Sequence, residues 1–183
     1  SGYFAGDGAY GRACEAMMAE LAGCKRVLLT SSCTAALEMS AYLADIGPGD
    51  EVIVPSYTFT STANAFVARG ARPVFVDIRP DTLNLDERLV RLAVTAKTKA
   101  IVPVHYAGIS CDMASIREAA NGCGAIVVED AAQGFLATHH GQHLGTFGDL
   151  GCFSFHETKT FTSGEGGALF INRDDLVARA EIL

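Results

Sequence analysis

The stretch Cys152-Phe153-Ser154-Phe155-His156-Glu157-Thr158-Lys159-Thr160-Phe161-Thr162-Ser163-Gly164-Glu165-Gly166-Gly167 decides how this chain is read. It opens as a short apolar strand and turns polar at Ser154. One lysine follows, then a glycine-dense turn, then a second apolar run, Ala168-Leu169-Phe170-Ile171. Two apolar runs of strand length, bounded by turn residues, belong in a buried sheet. A lysine held between them serves solubility poorly and chemistry well. A partly desolvated amine holds its proton less tightly, and its neutral form can attack a carbonyl carbon. Glycines beside it let backbone approach a ligand closely. A surface lysine on a hairpin fits the stretch as well, so the rest of the chain has to decide.

Upstream, apolar strands alternate with helical segments. Residues 12–22 read as a helix with Ala13, Met17, Ala19 and Leu21 as its apolar positions. Strands are expected at 26–30, 51–55, 72–77, 100–104 and 125–129, the last ending in Asp130. Helices are expected from Ser31-Ser32-Cys33-Thr34 to about Asp45, then over 64–69, 86–92 and 112–121. Ser32 and its neighbours supply N-cap chemistry, and Gly47-Pro48-Gly49-Asp50 a turn. A hairpin around Gly141 (138–143), two strands flanking Lys159 and a helical pattern at 174–183 complete the chain. This rhythm predicts an α/β fold, a mostly parallel sheet in a three-layer αβα sandwich. The chain starts at Ser1 and stops inside a helical pattern, so residues 1–183 are expected to be one large domain cut from a longer protein.

Bulk composition narrows the function classes. Hydrophobic residues make up 49% and charged residues 19% of the 183 positions, which suits a globular core and not a disordered chain. A formal net charge of -7 and scattered arginines argue against nucleic acid as a partner. No run is long and apolar enough for a bilayer, so no membrane partner is expected. The six cysteines form no Cys-x-x-Cys pair, and no histidine lies at zinc-finger spacing. Reduced cysteines and a cytoplasmic location are expected, with no metal.

In open parallel sheets, ligands bind beyond the carboxyl ends of the strands. Five such ends carry chemistry. Ser32-Cys33-Thr34-Ala35-Ala36 leads a strand into a helix, where free amides suit a phosphate monoester, although ordinary capping explains it too. Pro55-Ser56-Tyr57-Thr58-Phe59 offers aromatic faces for a flat ring, or simply core. Glu129-Asp130-Ala131-Ala132-Gln133 places a carboxylate at the end of a buried strand, which is costly without a cationic partner such as a protonated pyridine. Ser154 and Lys159 add a hydroxyl and an amine. Val104-His105-Tyr106-Ala107-Gly108 adds a histidine that reads best as a satisfied core residue. A phosphate cradle, a ring stacker, an acid and an amine are together what pyridoxal 5'-phosphate (PLP) requires.

These segments, with Gly6-Asp7-Gly8 and Pro103, are the ones in which the sequence resembles the DegT/StrS-type sugar-nucleotide aminotransferases, which are fold-type-I PLP enzymes. The resemblance covers nearly the whole chain. It implies that Lys159 attaches PLP and later moves a proton at the substrate carbon. Asp130 would pair with the ring nitrogen, Gln133 would contact the ring hydroxyl, and Phe59 would stack on the ring. Thr34, Ala35 and Ser154 would hold the phosphate. The implied reaction moves an amino group from L-glutamate to a dTDP-linked 4-keto-6-deoxy sugar. In bacteria such amino sugars enter surface polysaccharides, for example enterobacterial common antigen. The resemblance also implies a homodimer with a shared active site and a C-terminal small domain that these residues do not include.

One position departs from the pattern: Thr160 follows the lysine where close relatives carry asparagine. Two other readings stand beside the aminotransferase. Related PLP enzymes that deoxygenate sugars carry histidine in place of the lysine, and Lys159 argues against them. A catalytically silent ligand-binding fragment is the other, and the isolated 183 residues are expected to turn over poorly.

Overall fold

A computed structural model describes residues 8–183; Gly6 and Asp7 of the Gly6-Asp7-Gly8 segment lie outside the described residues. The chain runs α1 (Ala9–Ala22), β1 (Arg26–Thr30), α2 (Cys33–Leu43), β2 (Glu51–Pro55), α3 (Ser61–Val67), β3 (Arg72–Val76), α4 (Glu87–Ala93) and β4 (Thr98–Ile101). A 3-10 turn (Tyr106–Gly108), α5 (Met113–Cys123), β5 (Ile126–Asp130), β6 (Thr138–His139), β7 (Gln142–His143), β8 (Leu150–Ser154), β9 (Gly167–Ile171) and α6 (Asp174–Ala180) follow.

Among the described residues, seven strands form one sheet in the order β1-β9-β8-β5-β4-β2-β3. The pairs β3·β2, β2·β4, β4·β5 and β5·β8 are parallel, whereas β9 runs against both β8 and β1. The sheet is therefore mostly parallel, as the alternation predicted. The reversed β9 is the return limb of the segment that carries Lys159. Its register against β8 pairs Ser154 with Gly167, so the loop between them leaves the sheet at a single point.

Strand alternation sorts the core onto two faces. Val52, Val54, Val128, Leu150, Cys152, Leu169 and Ile171 pack against α2, α3 and α6. Ile53, Ile101 and Val127 pack against α4 and α5 on the other face, and Val27, Phe153 and Phe170 against Met18 of α1. β2, β5, β8 and β9 are buried along their whole length, which is why they read as apolar runs. The three-layer αβα expectation holds.

Two boundaries and one helix face differ from expectation, each for a physical reason. The strand expected at 100–104 ends as a ladder at Ile101, and Val104 makes one isolated bridge to Asp130. Pro103 has no N–H to give, yet its carbonyl accepts from Asp130 N (2.9 Å), so the chain still runs beside β5. Helix α3 starts at Ser61, three residues before the expected start, and brings Ser61 and Thr62 into its first turn. Helix α1 turns a different face inward. Met17 and Leu21 are 69% and 52% exposed, while Glu15 and Met18 are buried. Glu15 goes inward because its carboxylate accepts from Leu29 N (3.0 Å) and from Arg26 (2.7 Å), tying α1 to β1.

Gly167 sits where the sheet meets the start of α2. A Cβ there would lie 2.4 Å from the Ser32 carbonyl carbon, so backbone approaches backbone at that point. Gly167→Ala is expected to destabilise the fold by about 1–3 kcal/mol, as forced overpacking does. A urea-unfolding midpoint equal to that of the parent would contradict this.

Candidate active site

The carboxyl ends of β2, β5 and β8 open onto one cavity of about 360 Å³, within the range of small-molecule sites. Thr34, Phe59, Asp130, Gln133, Ser154 and Lys159 all line it. Six of the seven residues singled out in the sequence therefore converge. The seventh, Ala35, is not brought to the wall: its amide is given to the Ser32 side chain (3.1 Å), which caps α2. Reading a helix start from sequence does not say which of its amides the cap will consume.

Asp130 is the buried end of β5, only 5% exposed. Its Oδ2 accepts from the Thr62 hydroxyl (2.6 Å) and its Oδ1 from Ala132 N (3.2 Å). Burial pushes the carboxyl's pKa up, against the opposing pull of the Thr62 bond, the Ala132 amide and the more distant His105 and Lys159. A carboxyl raised in this way binds its proton more tightly folded than unfolded. The stability it contributes is present at acid pH and is lost as pH rises through the folded value. Asp130→Asn in the cofactor-free protein is therefore expected to be neutral or stabilising near pH 8, on the order of 1 kcal/mol, as at other strained functional positions. The advantage should vanish at acid pH. Urea titrations at the two pH values check it, and a loss of stability at pH 8 would count against the assignment.

Around the carboxylate, the other lining groups each have a distinct setting. Thr34 shares a hydrogen bond with Ser61 (2.8 Å), and with Ser32 and the buried Ser154 these hydroxyls cluster at the N-terminus of α2. Gln133 Oε1 accepts from Ala107 N (2.9 Å), which leaves its amide N–H groups to give. Phe59 is 76% exposed at the wall, so folding alone leaves its ring uncovered. Lys159 is half-buried in the β8–β9 loop, its amide bonded to the His156 carbonyl (2.9 Å). His156 Nε2 lies 3.5 Å from Glu165 Oε1, and both line the cavity.

His105 is fully buried and lies on the other side of β5. Its Nε2 bonds Glu129 (2.7 Å), and its Nδ1 accepts from Cys111 N (3.2 Å). It is a satisfied core residue, as the sequence suggested. Sequence reasoning missed Ser61, Thr62, His156 and Glu165 as parts of this site. The signal for the first two was a pair of hydroxyl residues two positions after the aromatic loop. For the last two it was their place on either side of the lysine.

A parallel αβα sheet whose strand ends bring together a buried carboxylate, one amine and a hydroxyl-lined helix N-terminus defines a protein of the PLP-dependent transferase class. The chain belongs to the DegT/DnrJ/EryC1/StrS aminotransferase family, which matches residues 1–183. It is 44% identical to the spore coat polysaccharide biosynthesis protein SpsC of Bacillus subtilis (strain 168), over 92% of this chain and 43% of that protein. It is 43% identical to the GDP-perosamine synthase of Caulobacter vibrioides, over 92% of this chain and 46% of that one. Among solved structures, Spr1654 of Streptococcus pneumoniae, known in a PMP form, superposes with a TM-score of 0.90 at 32% identity, covering all of this chain and 50% of that one. The same protein is known in a PLP form. The chain thus spans less than half the length of the curated relatives it matches. No helix among the described residues is long and apolar enough to cross a membrane. All six cysteines are free.

Proposed function

We propose that residues 1–183 are the PLP-binding large domain of a sugar-nucleotide aminotransferase. The observation that carries this reading is that one cavity holds both Lys159 and the buried Asp130 carboxylate. The fit to PLP rests on the residues themselves. A buried carboxylate with a raised proton affinity suits a cationic ring nitrogen, and the hydroxyls at the start of α2 suit a phosphate. When bound, PLP supplies an electron-withdrawing ring that stabilises negative charge on the substrate carbon. Asp130 would keep the ring nitrogen protonated. Thr34, Ser154 and the α2 N-terminus, of which Ala35 is part, would hold the phosphate. Gln133 would donate to the ring oxygen and Phe59 would cover one ring face. Lys159 would take a proton from one carbon and return it to another.

The proposed overall reaction takes the amino group of L-glutamate to a nucleotide-linked 4-keto-6-deoxy sugar. Its specific form is dTDP-4-dehydro-6-deoxy-D-glucose to dTDP-4-amino-4,6-dideoxy-D-galactose. A relative named for a GDP sugar supports the sugar class and makes GDP the competing nucleotide. A homodimer is part of the proposal: Tyr10, Met17 and Leu21 leave an exposed apolar face on α1 that a second copy would cover. Incubating the full-length protein with PLP, L-glutamate and either the dTDP- or the GDP-linked keto sugar tests the reading. Formation of 2-oxoglutarate with an amino sugar identified by mass and NMR is expected. Sugar deoxygenation instead of amination, or no reaction with either nucleotide, would overturn it.

A further inference from the structure

Thr62 is fully buried on the first turn of α3. A buried hydroxyl on a helix commonly bonds back to a carbonyl of the preceding turn. This one instead spends its hydrogen on Asp130 Oδ2 at 2.6 Å, on a strand 68 positions away. With that hydrogen committed, the 2.7 Å contact between Thr62 Oγ1 and Thr58 Oγ1 has one polarity only: Thr58 donates and Thr62 accepts. Thr58 is half-buried and lines the cavity. The result is a chain of aligned donors, Thr58 to Thr62 to Asp130, which runs from the cavity wall to the carboxylate. Aligned hydroxyls strengthen one another.

We propose that Thr62 is a positioning residue, the inner member of a two-hydroxyl relay that fixes the rotation of the Asp130 carboxylate and holds it in its ionised, acceptor-only form. A protonated Asp130 would offer Thr62 at best a weaker, uncharged acceptor, and an Asp130 O–H aimed at Thr62 would reverse both hydroxyls. Donation from Thr62 to Oδ2 therefore favours the ionised carboxylate over the neutral acid. Among the described residues, few other groups face the carboxylate. Cys33 Sγ lies 4.0 Å from Oδ1, Cys152 is close by in the core, and His105 and Lys159 act only through space. Burial favours the neutral acid, and the Thr62 bond is the largest influence against it. Under the proposed function, an ionised Asp130 is what keeps a basic ring nitrogen protonated, so the relay sets the proton affinity of that nitrogen.

The experiment uses Thr62→Val, Thr62→Ser and Thr58→Val in the full-length protein. The first readout needs no cofactor: the infrared band of the protonated Asp130 carboxyl, identified by its loss in Asp130→Asn, is followed against pH. Thr62→Val should move the Asp130 titration up by about one to two pH units, as loss of a hydrogen bond to a charged group does. Thr62→Ser should restore it, and Thr58→Val should move it less. The second readout is PLP affinity by absorbance titration, expected to fall about 10- to 100-fold in Thr62→Val and to recover in Thr62→Ser. An unmoved titration in Thr62→Val, or a serine variant as impaired as the valine one, would overturn the relay. If Thr62→Val does not fold, Thr58→Val decides, and an unshifted Asp130 titration in it overturns the proposal. A parent protein that fails to bind PLP would sink the proposed function, while the cofactor-free titration would still judge the relay.

Discussion

Lys159→Ala is expected to lower transamination by at least about 10³-fold and to remove the visible absorbance band of the PLP-loaded protein. Among the residues lining the cavity, Lys159 supplies the one amine. The β8–β9 loop fixes where that amine starts from. The Ser154–Gly167 pair anchors both ends of the loop, and the Lys159 amide is pinned to the His156 carbonyl. Proton transfer by a placed side chain contributes about 10²–10⁴-fold on its own, and covalent attachment adds to that. Lys159→Arg separates charge from nucleophilicity, because a guanidinium keeps the charge and does not release its proton. It should be as inactive as alanine. Turnover with L-glutamate and spectra of both variants are the measurements. Retention of activity within tenfold in either variant would mean that the amine is not the reacting group.

The next largest effect is expected one residue before Asp130. Glu129→Ala should destabilise the fold by about 3–5 kcal/mol, the range for removing one partner from a buried charged cluster. Glu129 has no exposed surface. Its Oε2 accepts from His105 Nε2 (2.7 Å) and Gly145 N (2.8 Å), and its Oε1 from Gly148 N (2.5 Å). Because Cys111 N already donates to His105 Nδ1, the ring proton sits on Nε2 and is given to Glu129. Alanine would leave three buried donors without an acceptor and a void beneath the loop around residue 146. Glu129→Gln keeps one oxygen and should cost less. Chemical unfolding of the purified variants measures both. A Glu129→Ala midpoint within about 1 kcal/mol of the parent would show that the cluster carries little of the stability.

Adjacent residues on a strand point to opposite faces, and this pair shows what that separates. Asp130 faces α2 and α3 and the cavity. Glu129 faces the other layer and is consumed by structure. Both are carboxylates in a run of apolar residues, and the sequence pattern of Ile126–Asp130 does not distinguish them. The difference comes from what the other segments deliver to each face. Thr62 arrives from α3 on one side, and His105 with the loop near Gly145 arrives on the other.

Strand positions and the mostly parallel class were legible in the sequence because Val52-Ile53-Val54 and Ile126-Val127-Val128, inside strands buried on both faces, are unbroken runs of β-branched strand formers. The convergence of Thr34, Phe59, Asp130, Gln133, Ser154 and Lys159 was legible for a related reason. Once strands are parallel, their carboxyl ends share one edge of the sheet. Tertiary structure alone decided which face of α1 is buried, where β4 ends as a ladder, that the Ala35 amide is spent on a cap, and that Thr62 reaches Asp130. Each of these depends on a partner distant in the chain: the Leu29 amide and Arg26 for Glu15, β5 beside Pro103, and a carboxylate 68 positions from a helix hydroxyl. Local composition reports how apolar a segment is, and it carries no record of which distant polar group will meet it.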